Sequence, residues 1–575
     1  MSKHKYPKKQ IKKITLVVYL SLILVLLLNY YKLQLIEHEK YKTKGENNSL
    51  VARVLNAPRG IIFDRNGLPL VDNKFIYDIN IIPNLIDQNN FNYKILNKAA
   101  GINKEFVDSI IASTQNSIAR FRPKLIKRQI SFEIKSILDE YKLDLKGMYF
   151  SNFPVRTFVS NSNLSHVIGY LKRDRNGSLI PYGGIEKVYD SNLIGKNGVE
   201  YHLVNNLGLD QGVFNFENRN FAPIQGDSLF INIDSRLQSF CENLVKQYKG
   251  AIIVSEPSSG EILSMLSFPD FDLNSFAGPI TEDEWRKLNN KEYSVMINRA
   301  TQGLYAPGSI FKLILAAIAL DKKIVDFNYP VNCNGGYPFY DTKFHCWKEE
   351  GHGRVNLRQA IQQSCNVYFY DLIQKMDLNL WSSEVEKFGF GSKTTIDLNS
   401  EKKGLVPTVK LMNKMYKNSG GWSKGHELNL AIGQGETLVT PIQINNLINY
   451  IANQGHICKP KINGFGCIEK QFSDYSRSTF NLIKKSMYDA VNKDKGTAYN
   501  AAVDLSKGKV YGKTGTVQIC SNCDILPHAW FAGFIETKDD KKYTITIIIE
   551  NGGKGSNIPS KLAGEIFEFL VSQDA

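Results

Sequence analysis

Eight cysteines in 575 residues are too few to hold the chain together by disulfides, so a cross-linked secreted mini-scaffold is excluded. Glycine (43) and proline (19) stand at ordinary levels, which removes collagen-like and low-complexity classes. No apolar run after the first 31 residues is long enough to cross a bilayer, and no long basic block follows residue 13. What is present is core-forming material: 43% hydrophobic and 11% aromatic residues exclude wholesale disorder. At 65.0 kDa there is room for roughly three or four domains. The formal charge is +15, and six of the basic residues (Lys3, Lys5, Lys8, Lys9, Lys12 and Lys13) crowd the N-terminus. With the rest dispersed, the charge gives no reason to expect nucleic acid as a partner.

Those lysines precede ITLVVYLSLILVLLLNYY, 18 uncharged residues at positions 14–31. As a helix this run spans about 27 Å, close to the hydrocarbon thickness of a bilayer. The lysines keep residues 1–13 in the cytoplasm, and Tyr19, Tyr30 and Tyr31 suit the interfaces. A cleaved signal peptide is the alternative, but it has a shorter apolar core and a small-residue cleavage site, and neither is seen here. The expectation is an uncleaved single-pass anchor with everything after about residue 32 outside the membrane, in a compartment that permits disulfides.

From about 45 to 225 the chain reads as short strands and helices rich in Asn, Lys and Ile. Arg59, Asp64, Arg65 and Glu186 lie in turn-like surroundings there, as a solvated loop network or as a structural ion-pair platform. After residue 225 the pattern changes: a strand at 229–233 and a helix from Ser235, with Cys241 on its buried face. Strands at 250–256 and 261–268 flank a turn, and three more lie at 509–518, 529–536 and 543–550 before a final helix at 561–571. Strands at both ends around a helical middle predict an α+β fold with an antiparallel sheet.

Ser309 and Lys312 form an S-x-x-K pair that opens the apolar run to Leu320. At i and i+3 they share a helix face. A lysine that shares its proton can activate the hydroxyl, and a helix N-terminus favours a developing oxyanion. Alone the pair is weak, since an N-cap serine looks the same. Ser364-Cys365-Asn366 supplies a second hydroxyl and an amide, and Lys513-Thr514-Gly515-Thr516 supplies a cation and hydroxyls that grip a carboxylate. S-x-x-K, S-x-N and K-T-G in that order are the combination of penicillin-recognising serine acyl enzymes.

The chain resembles the class B penicillin-binding proteins, and most of all their elongation-specific transpeptidases. The likeness rests on APRGIIFDRNG (57–67), SHVIGYL (165–171), GGIEKVYD (183–190), YAPGSIFK (305–312), GHGRVNL (351–357), AIGQGETLVTPIQ (431–443), YGKTGT (511–516) and HAWFAGF (528–534). It implies an elongated pedestal of the dimerisation type at 32–225 and a transpeptidase domain at 226–575, with a central antiparallel sheet flanked by helices. It also implies Ser309 as the acylated nucleophile and Lys312 as its base. Ser364 becomes a proton relay beside Asn366. Lys513, Thr514, Gly515 and Thr516 become the carboxylate-binding strand, and the N–H groups of Ser309 and Thr516 the oxyanion hole. Peptidoglycan stem peptides are then the substrates, β-lactams the covalent inhibitors, and the inner membrane the location. A membrane glycan polymerase of the SEDS type and a rod-complex scaffold are the implied partners. A division-specific transpeptidase, a serine β-lactamase and a non-catalytic scaffold or sensor are the rival readings; the anchor, the pedestal and the intact motifs speak against the last two.

Cysteine stands in the middle of S-C-N, where the wider superfamily often has Asp. It joins a second constellation of Cys333, Cys346, His352 and Cys365, enough donors for a tetrahedral structural zinc. A Cys333–Cys346 disulfide with Cys365 buried is the competing reading. The resemblance favours zinc, because relatives can carry a site of Asp, His and Cys ligands here; Asp341 and His345 are possible substitutes for one ligand. Cys520 and Cys523 read as a local disulfide first, with a redox pair or half a metal site as alternatives; Cys458 and Cys467 can pair across a turn or stay free, and His528 is expected to pack structurally.

Overall fold

The computed structural model describes residues 8–40, 50–173, 179–205, 210–214, 220–276, 280–520 and 524–574. The start of the basic tail, Lys3 and Lys5 among it, and Cys523 lie outside the described residues. Helix α1 (Lys8–Tyr31) continues into a π-helical turn, Lys32–Ile36. Residues Lys12–Ile36 have mean hydropathy 2.2 and no burial, so this helix is long and apolar enough to cross a membrane.

The chain divides into two compact units. The first comprises Met1–Arg59, Asn73–Val155 and Ile194–Gly226. Its core is built from Ile79, Ile81, Leu96, Val107, Ile126 and Leu138, contributed by strands and by helices Tyr93–Ala100, Lys104–Thr114 and Phe132–Glu140. Elsewhere in it Leu50–Leu55 pairs antiparallel with Gly198–Val204, from Leu50 opposite Leu203 to Leu55 opposite Gly198.

The second unit comprises Gly60–Asp72, Arg156–Leu193 and Asp227–Ala575. The elements that build its sheet and carry its site are, in chain order, α2 (Ser235–Leu244), β1 (Gly250–Glu256), β2 (Glu261–Phe268), α3 (Lys312–Asp321), α4 (Asn366–Ile373), α5 (Arg477–Asn492), β3 (Gly508–Val517), β4 (His528–Thr537), β5 (Lys542–Ile549) and α6 (Ile558–Asp574). The sheet is antiparallel throughout, in the order β2-β1-β5-β4-β3. Period-two alternation gives it two apolar faces. Phe531, Ile545 and Ile547 face a core shared with Leu237 and Cys241 of α2 and Ile566 and Phe567 of α6. Trp530, Ala532 and Phe534 face the larger helical core, which includes α3 and α4. From Lys312 to Ala319 every residue of α3 is buried, so this helix is apolar on all sides and runs through the middle of the domain. Burial pushes the Cys241 thiol up to about 12, as befits a core residue.

The charged residues at the N-terminal motifs are not a solvated loop network. Arg59, Asp64 and Glu186 are buried. Asp64 accepts hydrogen bonds from the N–H groups of Asn66 and Leu68 and from Ser235 Oγ. Glu186 pairs with Arg156 at 2.6 Å, a partner that the sequence patterns did not single out.

Candidate active site

The turn that carries Ser309 is fixed from both sides before any side chain is considered. Tyr305 exchanges backbone hydrogen bonds with Val439 (2.9 and 2.8 Å), and Gly308 N–H donates to Gly433 O at 2.8 Å. From the sheet, Trp530 Nε1 donates to Ala306 O at 3.1 Å. Gly308 adopts φ +57°, and a Cβ there would meet Val517 Cγ2 at 2.8 Å, so only glycine fits both the conformation and the space. Residues Gly308–Phe311 form a 3₁₀ turn that passes into α3 at Lys312. Positions i and i+3 eclipse in such a turn, which sets Ser309 and Lys312 on one side.

Lys312 is fully buried. Its Nζ donates to Ser364 O at 2.9 Å, Ser364 Oγ at 3.3 Å and Asn366 Oδ1 at 2.7 Å, and not to Ser309. Burial pulls it down to about 8. Lys513, on β3, is buried as deeply and donates to Ser364 Oγ at 2.9 Å and to Thr514 O at 3.1 Å. Burial holds it well below the usual lysine range, and the charge on Lys312 lowers it further. Ser364 Oγ therefore sits between two lysine Nζ atoms. Among the described residues no carboxylate bonds to either of them. Two like charges this close and this dry disfavour each other, which favours a neutral amine able to accept a proton.

Ser364 has φ +54°, an uncommon conformation for a residue with a side chain. Asn366 begins α4, and its Nδ2 donates to His345 O at 3.4 Å. Farther along β3, Thr514 Oγ1 donates to Thr497 Oγ1 at 3.1 Å, while the exposed Thr516 accepts from Gly555 N at 3.2 Å. A Cβ on Gly515 would stand 3.1 Å from Pro307 O and 3.2 Å from Trp530 Cβ, so a side chain there would press the strand away from the serine turn.

Cys333, Cys346, His352 and Cys365 bring one donor atom each to within 4.8 Å of one another, an arrangement that could hold a metal ion. Asp341 and His345 are not in this group. The three cysteines are free thiols, so the Cys333–Cys346 disulfide reading is replaced by a shared cluster. His352 Nδ1 lies 3.5 Å from both Cys333 Sγ and Cys346 Sγ. Hydrogen bonds from Cys365 and His352 hold the Cys346 thiol well down, whereas bonding to Cys346 and burial push Cys365 up. Elsewhere Cys458 and Cys467 are joined with Cα atoms 5.5 Å apart, and Cys520 is disulfide-bonded. His528 Nδ1 accepts from Asn551 N at 3.1 Å and its ring meets Tyr305 edge to face.

The family described as "Penicillin binding protein transpeptidase domain" matches residues 250–571. The chain belongs to the penicillin-binding protein transpeptidases. "Penicillin-binding Protein dimerisation domain" matches residues 54–229. Peptidoglycan D,D-transpeptidase MrdA of Salmonella typhimurium is 27% identical over 96% of this chain and 94% of its own length. Among solved structures, the complex between penicillin-binding protein PBP2 and MreC from Helicobacter pylori has a TM-score of 0.77 and 28% identity, covering 90% of this chain and 99% of that one. A structure described as "Structural coordination of polymerization and crosslinking by a peptidoglycan synthase complex" has a TM-score of 0.73 over 97% of this chain and 98% of its own, at 24% identity, and so bears on the fold alone.

Sequence patterns did not single out Trp530, which fixes the serine turn, or Trp347, whose indole N–H reaches the backbone at Ser364. An aromatic residue beside a motif looks like ordinary core, so neither carried a signal. Replacing Gly308 by alanine should cost about 1–3 kcal/mol of stability and shift the serine turn. Penicillin acylation should then slow by about tenfold or more, read by intact mass against time beside a thermal melt.

Proposed function

We propose that this penicillin-binding protein is a peptidoglycan D,D-transpeptidase of cell-wall elongation that works through an acyl-enzyme on Ser309. One observation carries the reading. Lys312, Ser364 and Lys513, from three separated motifs, form one hydrogen-bonded chain at the foot of the serine turn. In the reaction Ser309 Oγ attacks the penultimate D-Ala carbonyl of a stem peptide, and neutral Lys312 takes the hydroxyl proton. The N–H groups of Ser309 and Thr516 hold the oxyanion. Ser364, beside Asn366, relays a proton to the departing D-Ala amine. Lys513 and the hydroxyls of Thr514 and Thr516, with Gly515 keeping the strand close, bind the terminal carboxylate. An amine of a neighbouring stem then resolves the ester and leaves a cross-link. β-Lactams acylate the same oxygen.

The apolar helix supports a single-pass anchor at 14–31; the lysines before it favour residues 1–13 in the cytoplasm, which puts the pedestal, 32–225, and the transpeptidase domain, 226–575, in the periplasm. The PBP2–MreC complex supports a scaffold partner of that kind, and the resemblance to elongation-specific class B proteins implies a SEDS-type glycan polymerase beside it. Structural zinc is the metal we assign to Cys333, Cys346, His352 and Cys365. Tetrahedral geometry with Zn–S of about 2.3 Å and Zn–N of about 2.0–2.1 Å sets S···N edges of roughly 3.5 Å. Both sulfur-to-Nδ1 distances here are 3.5 Å. Such an ion supplies no step of the reaction; it fixes Cys365 and thereby its neighbours Ser364 and Asn366.

Three outcomes are expected. The full chain incubated with penicillin gains a long-lived adduct that is absent in Ser309→Ala; drug turnover with a transient adduct would identify a β-lactamase instead. The acylation rate rises with pH to a plateau, with its midpoint near 8, because Lys312 must be neutral to accept the proton and burial lowers it to about 8. Below that midpoint the rate falls about tenfold per pH unit, as the neutral fraction does. Metal analysis finds about one zinc per chain, and Cys365→Ser loses it together with thermal stability. Normal acylation by a folded, metal-free preparation would separate the metal from the active site.

A further inference from the structure

Trp347 has no part in the reaction as written. The residue is 58% exposed, yet its one side-chain donor is committed to the backbone. Nε1–H donates to Gln363 O at 3.1 Å and to Ser364 O at 3.2 Å, a three-centre bond to two successive carbonyls. Ser364 O also accepts from Lys312 Nζ at 2.9 Å. Successive carbonyls point the same way when the residue between them has a helical conformation of either hand, and opposite ways when it is extended. Here the residue between them is Ser364 at φ +54°. A donor that spans both carbonyls therefore favours the conformation that Ser364 adopts against the extended one. The same conformation puts Ser364 Oγ 2.9 Å from Lys513 Nζ and 3.3 Å from Lys312 Nζ. A non-glycine residue with positive φ persists only where its surroundings over-determine it. Three backbone bonds hold this one besides the indole: Ser364 N to Ile361 O (3.3 Å), Cys365 N to Ala360 O (2.9 Å) and the Lys312 bond. The Lys312 bond comes from an amine that gains and loses a proton during catalysis, so its strength varies while that of the indole bond does not.

We propose that Trp347 is a positioning residue of the acylation site: its indole N–H clamps the Gln363 and Ser364 carbonyls and so keeps the Ser364 hydroxyl between Lys312 and Lys513. The proposal rests on the transpeptidase reading above. It assigns the effect to the N–H and not to the ring, which also packs edge-on against His352 at 5.3 Å. Trp347→Phe keeps a ring and loses the donor, whereas Trp347→Ala loses both.

The test uses the detergent-solubilised full chain with penicillin. Acylation is followed over a range of drug concentrations to separate the limiting acylation rate from the dissociation constant of the preceding complex. Metal content and melting temperature are measured on the same samples. Trp347→Phe should lower the limiting rate by about tenfold, the scale expected for one lost hydrogen bond at a reacting group, and leave the dissociation constant and metal content unchanged. Trp347→Ala should lower the rate by a similar factor. Acylation of Trp347→Phe at the unsubstituted rate overturns the proposal. So does a loss confined to the dissociation constant, or one that tracks loss of metal, since either would assign the residue to drug contact or to the cluster. Absence of an adduct in the unsubstituted chain would instead refute the transpeptidase reading itself.

Discussion

The Ser364 hydroxyl, held between two buried lysines, is the interaction on which the rest of the site depends. Burying one lysine disfavours its charge, and burying two beside each other disfavours it further. Lys312 and Lys513 come from a central helix and from the edge strand of the sheet, about two hundred residues apart in sequence. Neither can withdraw, because α3 is buried on all sides and β3 is paired with β4 along its length. The hydroxyl between them can donate to one amine while it accepts from the other. That property makes serine useful at a position whose backbone would be easier for glycine. The strain at Ser364 follows from needing a hydroxyl and a left-handed residue at one point.

The Cys/His cluster and the lysine pair are one assembly viewed from opposite sides of a tripeptide. Cys365 points into the cluster, while Ser364 and Asn366 on either side of it meet Lys312. Whatever fixes the thiol of Cys365 also restricts its neighbours on both sides. The segment 333–353 that supplies the other donors also supplies Trp347 and the His345 carbonyl. The loop is thus tied to the S-C-N tripeptide by side-chain sulfur, indole nitrogen and backbone oxygen together.

Much of this was legible in the residues. The five strands of the sheet fall within a few positions of where alternation and turn chemistry put them, and the final helix differs only in its ends. The three motifs announced their chemistry because their residue types are rarely found together. The cysteine and histidine spacings announced a cluster but not its state, since thiol, disulfide and metal ligand share one letter. Legibility failed where the cause is long-range. The interleaving of Gly60–Asp72 and Arg156–Leu193 with the larger unit has no signature in composition. For Asp64 and Glu186 the residues left loop charges and a structural ion-pair platform equally open, because their partners, Ser235 and Arg156, are remote in sequence. Lys312 was expected to face Ser309 by helical spacing, and spacing cannot reveal that Ser364 and Asn366 hold its amine in the resting site.

That resting arrangement bears on how the enzyme class chooses its substrate. A nucleophile activated by histidine and aspartate carries its own anion, and its site is electrically balanced before substrate arrives. Here two lysines share one serine, and among the described residues no acid bonds to either. The pair must stay partly deprotonated or await an anion. A substrate that ends in a carboxylate beside the K-T-G strand supplies that anion and favours the charged form of Lys513. Through their mutual repulsion it also favours the neutral form of Lys312, the form a base requires. With the roles proposed for Ser309, Lys312 and Lys513, recognition of the terminal carboxylate and activation of the serine become one electrostatic event, which a neutral ligand of the same shape would not trigger.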